Sequence, residues 1–345
     1  MKKLSIVIPI YNVEAYVRRA AESIAVQAFN GLEVVLVDDG STDNSLEVCM
    51  NYLPEIDTVV VRQENEGLSS ARNAGIFAAS GEYILFLDAD DFLLPGALEN
   101  ILAVLETKHP DVLFGRYLRW SPETGLSQGK VYDWQPLQDL MQRTEYILDG
   151  LPESSWNAWR YICRRRFLMD CELFFEQGMF CEDVPWTLEL LDMAETLEFL
   201  PEPFYAYFQW RAGSIMNSQN IKRLTDLNTL VGRLLPNYTD RLAIYKRLVF
   251  QSFFYINECC TFRCRKDRRQ LWESYKAVLP LYGGSPSRVH KIVGKFRLYP
   301  LFYVLSVSML MLKHARRVWI RMFRREVSMP IPEYEKREQE VVHTN

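Results

Sequence analysis

Over the first 120 residues, apolar positions come in short unbroken runs, separated by stretches in which they recur every three or four places. Leu4–Ile10 is such a run, and Glu33–Val37, Thr58–Val61, Tyr83–Leu87 and Asp111–Leu118 are predicted as the strands that follow it. They are short and β-branched, as strands covered on both faces should be. Between the first two, Val13, Tyr16, Val17, Ala20 and Ile24 keep helical spacing behind Asn12, which predicts a helix capped by that asparagine. Ser41 to Asp43 are placed to cap a helix carrying Leu46, Val48 and Leu53. Leu68–Ala79 predicts a helix closed by Gly81, and Pro95 opens another that runs to about Thr107. Strand and helix alternate throughout, so the pattern predicts an α/β fold with a mainly parallel sheet and helices on both faces.

Such a sheet binds ligands at the carboxyl ends of its strands. The polar clusters Tyr11–Asn12, Asp38–Asp39, Asn65–Gly67 and Asp88–Asp91 all fall there, and they are predicted to converge on one rim. After Trp120 the pattern changes to mixed short elements rich in tryptophan, and from about Gln219 it becomes helical. There is no repeat and no linker-like stretch, so the later helices are expected to pack on the first domain.

Composition alters this picture in two places. The seven cysteines form no CxxC pair and have no nearby histidines, which argues against a disulfide framework or a zinc site. The net charge of −4 conceals an asymmetry: residues 285–325 hold ten Lys or Arg and no acid, so the remainder sets 44 acidic residues against 30 basic ones. A basic segment on an acidic body points to an anionic partner. Leu298–Leu312 is fifteen uncharged residues long, short of the roughly 20 needed to span a bilayer. It continues into KHARRVWIRMFRR, which suits an interfacial helix on anionic lipid and equally a core helix followed by a solvated charge run. Nothing resembles a nucleic-acid-binding fold. The apolar start, Leu4–Ile10, lacks a cleavage site and reads as a strand, which places the protein in the cytoplasm.

The sharpest chemical signal is Asp88-Ala89-Asp90-Asp91, directly after the fourth strand. Residues two apart in extended backbone face the same way, so Asp88 and Asp90 can present carboxylates together. Hard oxygens of this kind suit Mg²⁺ or Mn²⁺, an ion that also binds phosphates. An acidic turn capping the next helix is the competing reading.

The segments SIVIPIYN, VDDGSTD and NEGLSSARNAGIFAASGEYILFLDADD, in that order, resemble the family 2 glycosyltransferases, closely over residues 4–120 and loosely to about 216. The resemblance implies the GT-A fold, a Rossmann-like mainly parallel sheet, here followed by a helical C-terminal region. It implies a domain over 1–215, with 1–120 binding the nucleotide sugar and 121–215 serving the acceptor. Residues 216–329 would then form the helical region with its basic, membrane-associating helices, and 330–345 a disordered tail.

It also implies roles for individual residues. Tyr11 lies against the nucleotide base, with Pro9 shaping the turn. Asp39 accepts a base N–H, with Asp38 beside it, and Arg72 meets the ribose or diphosphate. Asp88 faces the ribose, and Asp90 ligates the metal. In MFCEDVPWTLELL, Asp183 matches the base that takes the acceptor proton and Glu182 its neighbour, although Asp183 before Pro185 also suits a helix cap. Arg211 and Ser214 in YFQWRAGSIM match a loop that closes over the diphosphate. Trp156, Trp159 and Trp186 are candidates for the acceptor pocket, with core packing as the alternative.

The implied reaction is a single inverting displacement from a nucleotide-diphosphate sugar, UDP-linked, to a glycan or lipid-linked glycan. Bacterial surface polysaccharide or lipopolysaccharide assembly, on the cytoplasmic face of the membrane, is its implied setting. The chain lacks the Q-x-x-R-W motif and multiple spans of the processive synthases. A sugar-phosphate nucleotidyltransferase would need a basic glycine-rich loop after the first strand, which SIVIPIYN is not. A silent nucleotide-sugar binding module would not need Asp90 and Asp183.

Overall fold

The structure is a computed structural model that describes residues 2–127, 156–208 and 221–238, with isolated positions from 147 to 274. The expectations for Arg211, Ser214 and the basic stretch 285–325 lie outside the described residues. No helix among the described residues is long and apolar enough to cross a membrane.

A nine-stranded sheet forms the centre, in the order β3-β2-β1-β4-β8-β6-β9-β5, with β7 paired to β6. Its parallel half comprises β1 (Leu4–Ile10), β2 (Leu32–Asp38), β3 (Asp57–Arg62) and β4 (Tyr83–Phe86), each within a residue or two of the predicted run. Every residue of β1 is buried, which is why its sequence is apolar at every position but Ser5 instead of alternating. Pro9 sits in this central strand without breaking a ladder. Val7 and Pro9 turn their backbone polar groups to the β4 side, and pairing there ends where Leu87 N–H bonds Val7 O at 2.9 Å.

The second half mixes directions. The strands are β5 (Phe92–Leu93), β6 (Val112–Ser121), β7 (Gly125–Ser127), β8 (Tyr161–Arg164) and β9 (Leu197–Phe208). β8 enters antiparallel between β4 and β6, while β9 lies parallel to β6. The stretches on either side of residue 120 therefore share one sheet. Among the described residues, seven helices cover it: α1 (Val17–Ala25), α2 (Ser45–Asn51), α3 (Leu68–Ala78), α4 (Ala97–Lys108), α5 (Arg165–Asp170), α6 (Asp183–Met193) and α7 (Ile221–Leu234). α7 contributes Leu224, Leu227 and Val231 to the same core as the sheet.

Two local expectations are corrected. Asn12 does not cap α1. Its φ is +50°, its side chain accepts the Thr42 N–H at 2.8 Å, and a turn separates it from the helix start at Val17. The polar side chain is spent on joining two rim loops. Nor is Gly81 a left-handed helix cap. It matters because a Cβ there would lie 2.6 Å from the Ser5 backbone nitrogen and 2.9 Å from the Leu4 carbonyl carbon. Neither atom can move without shifting β1, so Gly81→Ala is expected to destabilise the fold by about 1–3 kcal/mol in chemical denaturation.

Candidate functional site

The carboxyl ends of the parallel strands converge as predicted. Tyr11, just past β1, is 47% exposed, an unusual fraction for an aromatic ring beside a sheet and one that leaves a face to stack on. At the end of β2, an Asp38 oxygen accepts the Ser41 N–H at 2.9 Å. Asp39 is buried and tied to the neighbouring loop. Its Oδ1 accepts Gln63 Nε2 at 2.7 Å and Glu66 N–H at 2.9 Å, and its Oδ2 accepts Gly67 N–H at 2.9 Å. The charge that the sequence assigns to a base therefore also fixes the loop leading into α3.

The acidic turn after β4 splits into different tasks. Asp88 gives one oxygen to Arg72 Nη2 at 3.1 Å. Asp91 is buried and faces away from the rim, accepting the Tyr205 hydroxyl at 2.7 Å and the Phe208 N–H at 2.7 Å. Burial pushes its carboxyl well above the ordinary range, reinforced by Asp90 and Asp88 and opposed by those two donors. The Tyr205 hydroxyl also accepts the Asp88 N–H at 3.1 Å, so one phenol on β9 holds both ends of the turn. None of these carboxylates caps α4, whose N-cap is Gly96 at φ +77°.

Arg72 is the hub. It rises from α3 into the interior, 1% exposed, and meets three carboxylates from two other elements. Nη1 donates to Glu182 Oε1 at 2.9 Å and to Asp183 Oδ1 at 2.8 Å, and Nη2 to Asp88. Burial disfavours the charged guanidinium, but Asp183, Asp88 and Glu182 outweigh it and hold the proton more firmly than in a free arginine. Its position was expected to be the ribose or diphosphate. In the structure both terminal nitrogens are engaged by carboxylates.

Glu182 and Asp183 enter from the start of α6, where Glu182 is the N-cap and no side chain caps the helix. The Asp183 carboxylate goes to Arg72 and accepts the Ala158 N–H from the turn Ala158–Arg160. Burial raises its pKa to about 7 against the pull of Arg72, with Glu182 and Asp88 adding to the rise. A carboxyl poised near neutrality can both take and release a proton at working pH.

The three tryptophans fall on the packing side of the alternatives. Trp156, Trp159 and Trp186 are 3%, 2% and 1% exposed. Trp159 stacks on Tyr205 at 4.3 Å and on Tyr207 at 5.7 Å, and Trp186 stacks on Phe175 at 4.6 Å. Their rings have no free face for a sugar. Trp159 instead supports the tyrosine that holds the acidic turn.

Sequence reasoning missed Tyr205 and Asn73. Asn73 stands beside Arg72 and bonds the Phe175 backbone twice, through Nδ2 to the carbonyl and Oδ1 to the N–H, both at 2.8 Å. The motif SSARNAG contained it, but nothing local marks a pairing 102 residues away.

Among the described residues, no group of three His, Cys, Asp or Glu side chains is arranged to enclose an ion. Asp91 is turned to Tyr205 and Asp88 shares an oxygen with Arg72, so the turn offers hard oxygens from Asp88 and Asp90 as an open, incomplete set. That set fits an ion that takes its remaining ligands from phosphate and water, as Mg²⁺ and Mn²⁺ do.

The family model described as Glycosyl transferase family 2 matches residues 5–163. The uncharacterized glycosyltransferase YibD of Escherichia coli (strain K12) is 30% identical over 260 residues, 70% of this chain and 74% of the relative. The uncharacterized glycosyltransferase EpsJ of Bacillus subtilis (strain 168) is 30% identical over 245 residues, 70% of this chain and 69% of the relative. Among solved structures, S. aureus TarS 1-349 in complex with UDP-GlcNAc shares the fold with a TM-score of 0.68 at 21% identity, covering 90% of this chain and 92% of that one. The mannosyltransferase PcManGT from Pyrobaculum calidifontis, in complex with GDP-Man and Mn²⁺, aligns with a TM-score of 0.52 at 14% identity, over 93% and 83% of the two chains.

Proposed function

The chain belongs to the family 2 glycosyltransferases, and from that premise we propose that it moves a sugar from a UDP-sugar to an acceptor hydroxyl in a single inverting displacement. The observation that carries the reading is the Arg72 cluster. One guanidinium lies within 3.1 Å of both a rim carboxylate, Asp88, and the carboxylate at the start of α6, Asp183. A donor seated on the rim then has its anomeric carbon facing a group poised to take a proton.

The roles divide as follows. Tyr11 stacks on the base, with Pro9 setting the turn, and Asp38 and Asp39 define the edge of the base site. Asp88 and Asp90 would hold Mg²⁺ or Mn²⁺, which supplies neutralising charge to the departing diphosphate. Asp183 accepts the proton of the acceptor hydroxyl as the new bond forms, and Glu182 keeps Arg72 between the two acids. No second nucleophile is needed, so the anomeric carbon inverts. The UDP-GlcNAc bound by TarS and the Mn²⁺ bound by PcManGT support the choice of donor class and metal.

A panel of nucleotide sugars, screened by thermal shift with and without Mn²⁺, tests the donor assignment. UDP-sugars should stabilise the protein with Mn²⁺. Stabilisation by none of the panel would contradict it. Asp90→Ala is expected to weaken UDP–Mn²⁺ binding at least about tenfold in calorimetry, since a metal ligand and a carboxylate are lost together.

The acceptor is proposed to be a glycan or lipid-linked glycan at the cytoplasmic face of a membrane, in surface polysaccharide assembly. The basic stretch 285–325 supports this through its ten cationic side chains. Deleting 285–345 should abolish co-sedimentation with anionic vesicles while leaving neutral vesicles unbound in either form.

A further inference from the structure

The base opens α6 directly after a loop, residues 171–182, and that loop is tethered by the helices around it. From α3, Asn73 grips the Phe175 backbone through its paired hydrogen bonds. From α6, Trp186 Nε1 donates to the Leu173 carbonyl at 3.2 Å, and further tethers come from α7, which lies beyond the 5–163 stretch matched by the family model. Arg233 pairs with Glu176 through both terminal nitrogens. Lys222 Nζ donates to the Gly178 carbonyl at 2.7 Å. Asp226 Oδ2 accepts the Phe180 N–H at 3.0 Å and the Lys222 ammonium at 2.6 Å.

Immediately after Phe180, Cys181 takes φ +64°, a left-handed conformation that strains a residue with a side chain. Its carbonyl accepts the Val184 N–H at 3.0 Å, and Glu182 and Asp183 follow, turned into Arg72. A strained residue keeps its conformation only when both flanks are fixed. The far flank is α6. On the near side, Asp226 holds the amide plane entering Phe180, one residue before Cys181.

We infer that Asp226, braced by Lys222, is a positioning residue for Asp183: it fixes the Phe180 amide, through it the left-handed turn at Cys181, and so the aim of the base. α7 thereby becomes part of the catalytic apparatus without touching substrate. This rests on Asp183 being the base. A displacement of about 1 Å in such a group can cost on the order of 10²-fold in rate, while donor binding, which draws on Tyr11, Asp38, Asp39, Asp88 and Asp90, is untouched.

The test uses the full chain, with UDP–Mn²⁺ as the binding probe and UDP release as the measure of turnover. Asp226→Ala should lower kcat about 10- to 100-fold with the UDP–Mn²⁺ Kd and the donor KM within about twofold of the parent. Asp226→Asn retains an oxygen that accepts the Phe180 N–H and should recover kcat to within a few-fold. The inference is overturned if Asp226→Ala keeps kcat within twofold, if Asp226→Asn falls as far as the alanine variant, or if UDP–Mn²⁺ affinity drops in step with kcat. Should Asp226→Ala fail to fold, Lys222→Met removes the Gly178 contact from a half-exposed side chain and should lower kcat several-fold at unchanged UDP–Mn²⁺ affinity. Unchanged kcat there also overturns the inference. Asp183→Asn measured in parallel separates the two ideas: retained turnover in it sinks the base assignment and this inference with it, whereas its loss beside an unaffected Asp226→Ala sinks the inference alone.

Discussion

Asp183→Asn should lower kcat by about 10²- to 10⁴-fold, the range a general base supplies, while UDP–Mn²⁺ still binds. The amide keeps the shape and can still accept from Arg72 and the Ala158 N–H, but it takes no proton. The parent enzyme should show the matching pH dependence. With a carboxyl raised to about 7, the base form dominates above neutrality and is lost as pH falls through that value. kcat/KM, which reports the free enzyme, should therefore decline tenfold per unit below about 6, and Asp183→Asn should flatten that limb. A variant with near-parent kcat would remove Asp183 from the base role.

The second large effect is structural before it is catalytic. Arg72→Met removes the cation from among Asp88, Glu182 and Asp183 and leaves carboxylates crowded in a mostly buried site. Breaking a buried ion pair from one side costs about 3–5 kcal/mol, because the abandoned charge stays desolvated. For a chain of this size that lowers Tm by about 4–7 °C. The sign with pH is opposite to that of activity: protonating the orphaned acids relieves the repulsion, so the loss in Tm should shrink as pH falls. Arg72→Lys keeps the charge but cannot bridge three acids with a planar fork, and it should fall between the two. A Tm for Arg72→Met within 2 °C of the parent would show that the hub contributes little.

How much of this was legible in the sequence depended on the range of the signal. β1, β2 and β4 declared themselves because a strand buried on both faces is apolar at nearly every position, and that needs no partner to recognise. The rim clusters followed from strand direction alone. What failed was anything that hung on a distant partner. Asn12 looked like a helix cap because Asn usually is one, and only the Thr42 amide, 30 residues on, diverts it. Asp88, Asp90 and Asp91 look alike in sequence, yet Tyr205 pulls Asp91 out of the rim into a structural tie. Tryptophans beside a sugar site suggest stacking on sugar, but Trp159 spends its faces on Tyr205 and Tyr207. Arg72 showed as a cation in a motif. That it gathers acids from residues 16, 110 and 111 positions away appears only in three dimensions. Apart from β6, the second half of the sheet was equally hidden, because β8 enters between β4 and β6 out of chain order.

The direct test of the central claim is a crystal structure with a UDP-sugar and Mn²⁺, with the metal located by anomalous scattering. The account predicts the manganese peak at Asp90 and the diphosphate, uracil against Tyr11, and the anomeric carbon turned toward Asp183 with Arg72 still between Asp88 and Asp183. A nucleotide bound elsewhere, or a manganese peak remote from Asp88 and Asp90, would contradict it.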